Sequence, residues 1–557
     1  MEDGEGRGSD RRWAPRAAVV MIALFLLACL PFAVWQVLTV NVDEARYTVA
    51  AALMMATGDY IVPTNPWGGV RLLKPPLAYY YVVAGFSIFG QSLFGAKLFW
   101  LVSAAAIIGL TWVLARRIGA SAAGAAVAVA ALVANPHIFR AALTHIPDIP
   151  MMLGLTMALV GFARIIATPR DGAAPVWAFY LAWIGIAWAF FAKGLLALVL
   201  VALSLAFRAA GRGLRRPSRH EVAAIVLAVV IGGWWYAVVA IREPALFVEQ
   251  FLGDQVTQKT STDLARIADT LVKNLIDLVQ GFFPIFLAAI PFTLGALRRR
   301  PRREVLYLVA WCVTVVVLFS FGAQRTERYM LPAMPAFAAL LGLGFSHLAG
   351  DDIARRAGRA VRILLPVTGA VGLLTAGVVY AGGTVLGAAA VLLGVGLAIW
   401  ALWKASGTRR PGVALTLLAI LPLGTILSIA PAFTYLGIPS ITDISVAAIR
   451  ESGVPPEEIV VVQRWQLVER IGLRLPPIEG YRFVRGPDAA ALEGARLVVT
   501  TDPAAVPALE ALGFAMTAET AAPGEYPFAD FLRAIRTRDL DALRERWGEK
   551  VWIGRRA

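Results

Sequence analysis

Charge is scarce along this chain. Asp, Glu, Lys and Arg make up 16% of its 557 residues, where a soluble domain carries about 25%. That scarcity excludes a protein solvated on every face. Cysteine is almost absent: Cys29 and Cys312 are the whole complement, and both lie within apolar runs. Two buried thiols are expected, not a disulfide. The four histidines are scattered without ligand spacing, so the chain shows no structural metal site of the zinc type. Internal repeats and low-complexity tracts are lacking as well.

What the chain has instead is hydrocarbon. It is 59% hydrophobic, with a mean hydropathy of +0.69. Apolar runs of about 20 residues recur, each long enough to cross a bilayer. Backbone groups in lipid must be satisfied within the segment, and the runs are too long for barrel strands, so they are read as helices. The net charge of +15 would point to nucleic acid in a soluble protein. Here the arginines sit in short loops between runs and read as topogenic signals, so no nucleic-acid partner is expected. Some of them are placed to meet anionic lipid headgroups.

The expected fold class is an α-helical polytopic membrane protein of about 13 transmembrane helices, followed by a small α/β domain. The membrane domain is assigned to residues 1–430 and the C-terminal domain to 431–557. Arg7, Arg11, Arg12 and Arg16 precede the first run, which is read as an uncleaved span with its leader on the cytoplasmic side. The loop 41–92 and the polar stretch 242–277 then fall outside the cytoplasm. Proposed inner segments hold roughly 25 Lys and Arg against roughly 11 in the outer loops, as that orientation requires. Parity puts the C-terminus outside. Past Pro431, short β-rich runs such as Glu458-Ile-Val-Val-Val and Arg496-Leu-Val-Val-Thr alternate with helical stretches, the pattern of a compact α/β domain.

Within loop 41–92, Glu44–Thr57 reads as a helix with Asp43 at its N-cap and Gly58 at its stop. Val49, Leu53 and Ala56 share a face, so the helix is expected to lie on the membrane surface. The stretch after Lys74-Pro75-Pro76 carries Tyr79, Tyr80 and Tyr81 and is read as a second interfacial helix. The polar stretch 242–277 is read as a candidate substrate gate.

A charged side chain at the end of a membrane span invites a functional reading. Asp43, Glu44, Arg46, Lys74, Asp148, Lys193, Arg325, Glu327 and Arg328 all fall on one side, as in an enzyme working at the interface. A transporter would set some of them near the midplane. Asp43 and Glu44 suit a base that takes a proton from, or orients, an acceptor; capping and solvation are the alternative roles. Asp148 opens a span and suits either catalysis or an N-cap. Lys74, aimed by Pro75, suits a phosphate, or a snorkelling position. Arg325 and Arg328 oppose the positive-inside trend, which favours an anionic ligand. His137 and His145 are read as structural or solvated.

Asp43-Glu44-Ala-Arg46-Tyr47, Gly58-Asp59-Tyr60-Ile-Val-Pro63 and Lys74-Pro75-Pro76-Leu77 resemble the first outer loop of the lipid A 4-amino-4-deoxy-L-arabinose transferases. Their wider kin are the protein O-mannosyltransferases and other C-type glycosyltransferases. Asp148, the Phe190-Phe-Ala-Lys193-Gly194 segment and Arg328-Tyr329-Met-Leu331-Pro332 are similar to later motifs of the same family. The resemblance implies a C-type glycosyltransferase fold in the bacterial inner membrane. It also implies an undecaprenyl phosphate sugar as donor, an acceptor outside the cytoplasm, and inversion at the anomeric carbon. On that match Asp43 is the leading catalytic carboxylate, with Glu44 beside it and Asp148 as a second acid. Lys74, Arg46, Arg325 and Arg328 hold the departing lipid phosphate, and Tyr47, Tyr329 and Lys193 line the pocket. Many relatives carry Glu before Lys-Pro-Pro where this chain has Leu73, so no metal is expected to be required. Lipid A with an aminoarabinose-type sugar is the leading pair. Another glycan, glycolipid or protein acceptor is the nearest rival, and a polyprenyl-lipid transporter the rival of another class. A monomer is expected.

Overall fold

The structure, a computed structural model, describes residues 3–35, 43–169, 172–194, 196–212, 216–253, 263–283, 285–286, 293–295, 302–322, 325–437 and 439–556. Among these residues ten helices are long and apolar enough to cross a membrane. An eleventh span is counted if Ala122–Val133 and Pro136–Leu143, which meet at 59°, form one broken helix. The other two of the thirteen expected spans fall at Leu196–Ala210, a shorter apolar helix, and at 278–297, much of which lies outside the described residues. The middle of the expected gate, 254–262, also lies outside them.

The elements that build the site come early in the chain. They are α1 (Asp3–Val34), α2 (Glu44–Thr57), α3 (Leu77–Phe89), α4 (Leu93–Arg117), α5 (Ala122–Val133), α6 (Pro136–Leu143), α7 (Asp148–Ala167), α8 (Val176–Lys193), α9 (Leu196–Arg212) and α10 (Arg219–Arg242). Lipid gives helices no hydrophobic reason to associate, so close backbone contact at small residues matters. α7 and α8 meet this way: a Cβ added to Gly154 would stand 2.5 Å from the Gly185 carbonyl oxygen, and one on Gly185 equally close to that of Gly154. Cys29 and Cys312 are both free and buried.

The first loop is a folded unit laid across one end of the bundle. Gly58 ends α2 in the left-handed region at φ 72°, its N–H bonded to the Met54 carbonyl. Asp59 Oδ1 then accepts the N–H groups of Ile61 and Val62. A tight turn through Asn65-Pro-Trp67-Gly68-Gly69 closes with Asn65 N–H on the Gly69 carbonyl at 2.8 Å, and Gly68 supplies the φ of 81° that a side chain would resist. α10 pins this loop. Trp235 Nε1 donates to the Ile61 carbonyl at 2.8 Å, and Arg242 pairs with Asp59 at 2.9 Å. Just beyond, Gln250 accepts the Leu72 N–H at 2.9 Å.

Residues after Ile441 form a five-stranded mixed sheet. Its strands are β1 (Ile459–Val462), β2 (Arg482–Val484), β3 (Leu497–Thr500), β4 (Ala515–Thr520) and β5 (Lys550–Arg555), in the order β2-β1-β3-β5-β4. β1 runs parallel to β2 and β3, while β5 is antiparallel to β3 and β4. β1 and β3 are wholly buried, which is why they read as unbroken apolar runs and not as alternating ones. A Ser440–Asp443 capping box starts the helix Ile441–Ser452.

This α/β region covers the first loop, and that changes two expectations. α2 is not a surface helix with one wet face. Residues from Glu44 to Ala52, apart from Arg46, are buried, because α3 backs one side and the helix Gln466–Gly472 the other. Two of the three tyrosines of α3 do not mark an interface either. Tyr79 and Tyr81 are buried, Tyr81 sharing a hydrogen bond with Ser103. The junction itself is aromatic and polar. Trp67 lies 6.0 Å from Trp465 and 5.6 Å from Phe483, and Gln91 bonds both Glu479 and the Ile478 N–H at 2.7 Å.

Candidate active site

Asp43 sits at the N-terminal end of α2 but does not cap it. Its backbone is already helical (φ −70°, ψ −21°) and its side chain makes no capping bond. The carboxylate turns instead to two guanidiniums: Arg46 one helical turn on, at 2.8 Å, and Arg328, at 3.5 Å. It is about a third exposed, so it remains open to a ligand. The Arg328 segment is a short 3-10 helix, Glu327–Ala333, ahead of the helix Met334–Phe345.

Asp148 opens α7 and is buried, meeting Lys193 at the end of α8 with Nζ to Oδ1 at 2.5 Å. The same ammonium lies 5.2 Å from the centre of the Tyr329 ring, which stacks on Phe319 at 4.7 Å. Three sequence candidates from distant parts of the chain thus form one unit. Asp148 and Arg328 line a cavity of about 170 Å³ together with His137, Arg140, Thr144 and Glu327. Arg140 and Glu327 on its wall are ion-paired with each other. Arg328 therefore touches Asp43 and lines the cavity that Asp148 also lines.

Tyr47 is buried beneath this group. Burial, then the neighbouring Tyr79, outweigh the Arg71 guanidinium, and with the charges of Asp43 and Asp148 they push its phenol up. Both acids are thus within electrostatic reach of one tyrosine. Its ring meets Tyr79 at 5.1 Å. Arg71 is the residue the sequence reading did not single out. Its guanidinium is buried, lies 5.7 Å from the Tyr47 ring centre and donates from Nε to the Tyr79 hydroxyl at 3.0 Å. Its position between Tyr47 and the Lys74-Pro-Pro segment was the available signal. Lys74 itself is half-buried, immediately ahead of α3.

Two candidates are placed elsewhere. Glu44, expected beside Asp43 as a catalytic carboxylate, points the other way: it is buried, and its Oε1 accepts the His145 backbone N–H at 3.0 Å. One residue along a helix is about 100° of rotation, so neighbours on α2 cannot share a face. Arg325, expected at the lipid phosphate, is paired with the buried Asp277. His145, read as structural or solvated, is buried among carboxylates.

Residues 73–236 match the model of the family described as dolichyl-phosphate-mannose-protein mannosyltransferase. The chain is 27% identical over 341 residues to the undecaprenyl phosphate-alpha-4-amino-4-deoxy-L-arabinose arabinosyl transferase 1 of Pseudomonas fluorescens, covering 59% of this chain and 57% of that one. It is 27% identical over 354 residues to the corresponding transferase of Edwardsiella ictaluri, covering 62% and 60%. The chain thus spans somewhat over half the length of these curated relatives. The crystal structure of ArnT from Cupriavidus metallidurans bound to undecaprenyl phosphate superposes with a TM-score of 0.68 at 20% identity, covering 97% of this chain and 98% of that one. The apo form of the same protein gives 0.67.

The fold is the one seen in that ArnT crystal structure: a bundle of apolar helices of membrane-spanning length with a small C-terminal sheet region. The resemblance read from the first loop stands: the family model, the relatives and the fold all fall among the aminoarabinose transferases and their protein O-mannosyltransferase-like kin.

Proposed function

We propose that this protein is an inner-membrane glycosyltransferase that moves a 4-amino-4-deoxy-L-arabinose-type sugar from undecaprenyl phosphate to lipid A. The observation that carries the reading is the placement of Asp43 between Arg46 and Arg328, with Arg328 on the wall of the cavity that Asp148 also lines. The names of the relatives and the lipid bound in the superposed structure support the donor, and the resemblance of the first loop supports the acceptor.

In this reaction the acceptor oxygen attacks the anomeric carbon as the bond to the lipid phosphate breaks, with inversion. Negative charge grows on the departing phosphate. Fixed cations there stabilise the transition state more than the ground state, and Lys74, Arg46 and Arg328 take this role. A phosphate acceptor is already ionised, so Asp43 needs only to orient it; a hydroxyl acceptor would pass its proton to Asp43. Asp148 on the cavity wall is paired with Lys193, so it keeps the wall polar without adding net charge. The active end and the α/β region face the periplasm, the enzyme acts as a monomer, and no metal takes part.

Mass spectrometry of lipid A from cells with the protein, without it, and with Asp43→Asn tests this. A pentosamine-sized addition present only with the wild-type chain is expected. Lipid A unchanged in all three would move the acceptor to another glycolipid or to a secreted protein.

A further inference from the structure

One cluster of ionisable side chains lies outside the cavity and has no part in the mechanism above. Glu44 and Thr48 of α2, Lys97 of α4, His145 of the loop between α6 and α7, and Glu469 of the helix Gln466–Gly472 are each at most 7% exposed. Four separate segments, one of them from the α/β region, thus bring charge to one buried point. Ions are expensive to bury unless they are paired.

His145 is the centre of the cluster. Its Nδ1 stands 3.2 Å from Glu44 Oε1, off the line of a hydrogen bond, so that contact is one of charge. Its Nε2 lies 2.7 Å from Thr48 Oγ1 and 3.3 Å from Glu469 Oε1. The Thr48 hydroxyl donates to the Glu44 carbonyl, which leaves its oxygen to accept from Nε2–H. Both ring nitrogens therefore face carboxylates, as an imidazolium requires. Lys97 of α4 and Arg470, the next residue along from Glu469, are the cations that face these carboxylates, and the Cys29 thiol of α1 lies behind Lys97.

The sequence neighbours of this cluster give it a consequence. Glu44 follows Asp43 directly. His145 precedes Asp148 by three residues, and the Ile146 carbonyl between them accepts from Trp100 Nε1 at 2.7 Å. Both acid-bearing segments are thus fastened to one imidazole. The helix Gln466–Gly472 reaches the first turn of α2 a second time, since Trp465 at its start lies 5.9 Å from the Arg46 guanidinium, which pairs with Asp43.

We propose that Glu469 is a positioning residue for the transfer site: acting through His145, it holds the Asp43 end of α2 and the segment leading to Asp148 in register. The proposal rests on the glycosyl-transfer reading for its kinetic consequence. It gives the α/β region a task beyond covering the loop. Placement errors of about 1 Å cost on the order of a hundredfold in rate, so a brace of this kind acts on turnover and not on donor binding.

The test uses the full-length protein in lipid nanodiscs, with undecaprenyl-phosphate aminoarabinose and lipid A. For Glu469→Gln, kcat is expected to fall roughly tenfold or more while donor KM changes less than about threefold. His145→Gln should do the same, and the double variant should be no worse than either alone, the signature of residues acting through one another. Amides 44–57 should exchange faster in Glu469→Gln than in wild type. Unchanged kcat, or effects of the two single variants that multiply in the double, would overturn the proposal. Exchange gives a reading independent of activity. If the wild-type chain transfers no sugar from this donor, the functional reading fails, while faster exchange still supports the brace and equal exchange removes it. Should Glu469→Gln fail to fold, Trp465→Leu probes the second contact with the same readouts.

Discussion

The Asp43 carboxylate stands 3.5 Å from the guanidinium of Arg328, although 285 residues separate them. Through Arg328 the first loop reaches the cavity wall, and through Lys193 that wall is tied to the end of α8.

Asp43→Asn keeps the size of the side chain and removes its charge. Loss of a positioned acid–base group costs about 100-fold to 10,000-fold, and kcat should fall by at least the lower figure with a hydroxyl acceptor. Arg328→Gln removes a cation that holds the departing phosphate more tightly than the bound one, so kcat and kcat/KM should fall together by roughly tenfold, or about 1.4 kcal/mol, with little change in donor KM. Initial rates with purified donor measure both variants. Full activity in Asp43→Asn removes its assigned role.

Asp148 and Lys193 form a buried pair, with Asp148 the deeper partner. Breaking such a pair from one side strands a charge and costs about 3–5 kcal/mol. Asp148→Asn should therefore lower the thermal midpoint in detergent clearly. Asp148→Asn with Lys193→Gln should recover part of that loss. A double variant as unstable as the two single losses summed would show that the residues are not coupled.

The pH dependence of the His145 cluster has a definite sign. Burial lowers the His145 pKa, but the charge of Glu44 together with the hydrogen bond and charge of Glu469 outweighs it and pushes the pKa up to about 9. Burial likewise raises Glu44, yet the His145 charge and backbone N–H hold it below its ordinary value. A raised histidine stabilises the fold fully below its unfolded value of about 6.5 and loses that contribution as pH climbs through about 9. A lowered carboxylate contributes above its unfolded value, about 4.3, and is lost as pH falls through the folded one. The docking of the α/β region should thus hold on a plateau between roughly pH 5 and 6.5 and weaken steadily toward pH 9. Limited proteolysis of the 441–556 region across that range measures it. A flat profile in wild type, or the same slope in His145→Gln, contradicts the assignment.

The pattern that the first loop resembles expects Glu ahead of Lys74-Pro75-Pro76, and this chain has Leu73 there. Transfer is accordingly expected to survive exhaustive treatment with EDTA within about twofold, because the pocket cations already supply the positive charge a metal would bring. A large loss restored by a divalent ion would reverse this.

The sequence by itself determined the membrane class, the α/β character of the C-terminal region and the limits of α2, because hydropathy, strand composition and stop signals such as Gly58 are local. It also marked Asp43, Arg328, Asp148 and Lys193, since a charge at a span end is costly wherever the chain later goes. Only the tertiary structure decided which of these charges meet. Glu44 is adjacent to Asp43 in sequence but a third of a helical turn away in direction, and that rotation sends it to His145. Arg325 and Arg328 read alike, yet the first is drawn to Asp277 and the second to Asp43. Arg71 and His145 looked unremarkable because their meaning lies in partners far along the chain: the Tyr47 ring and Tyr79 hydroxyl for one, Glu469 for the other. Pairing of buried charge depends on distances in space, and no local pattern encodes those.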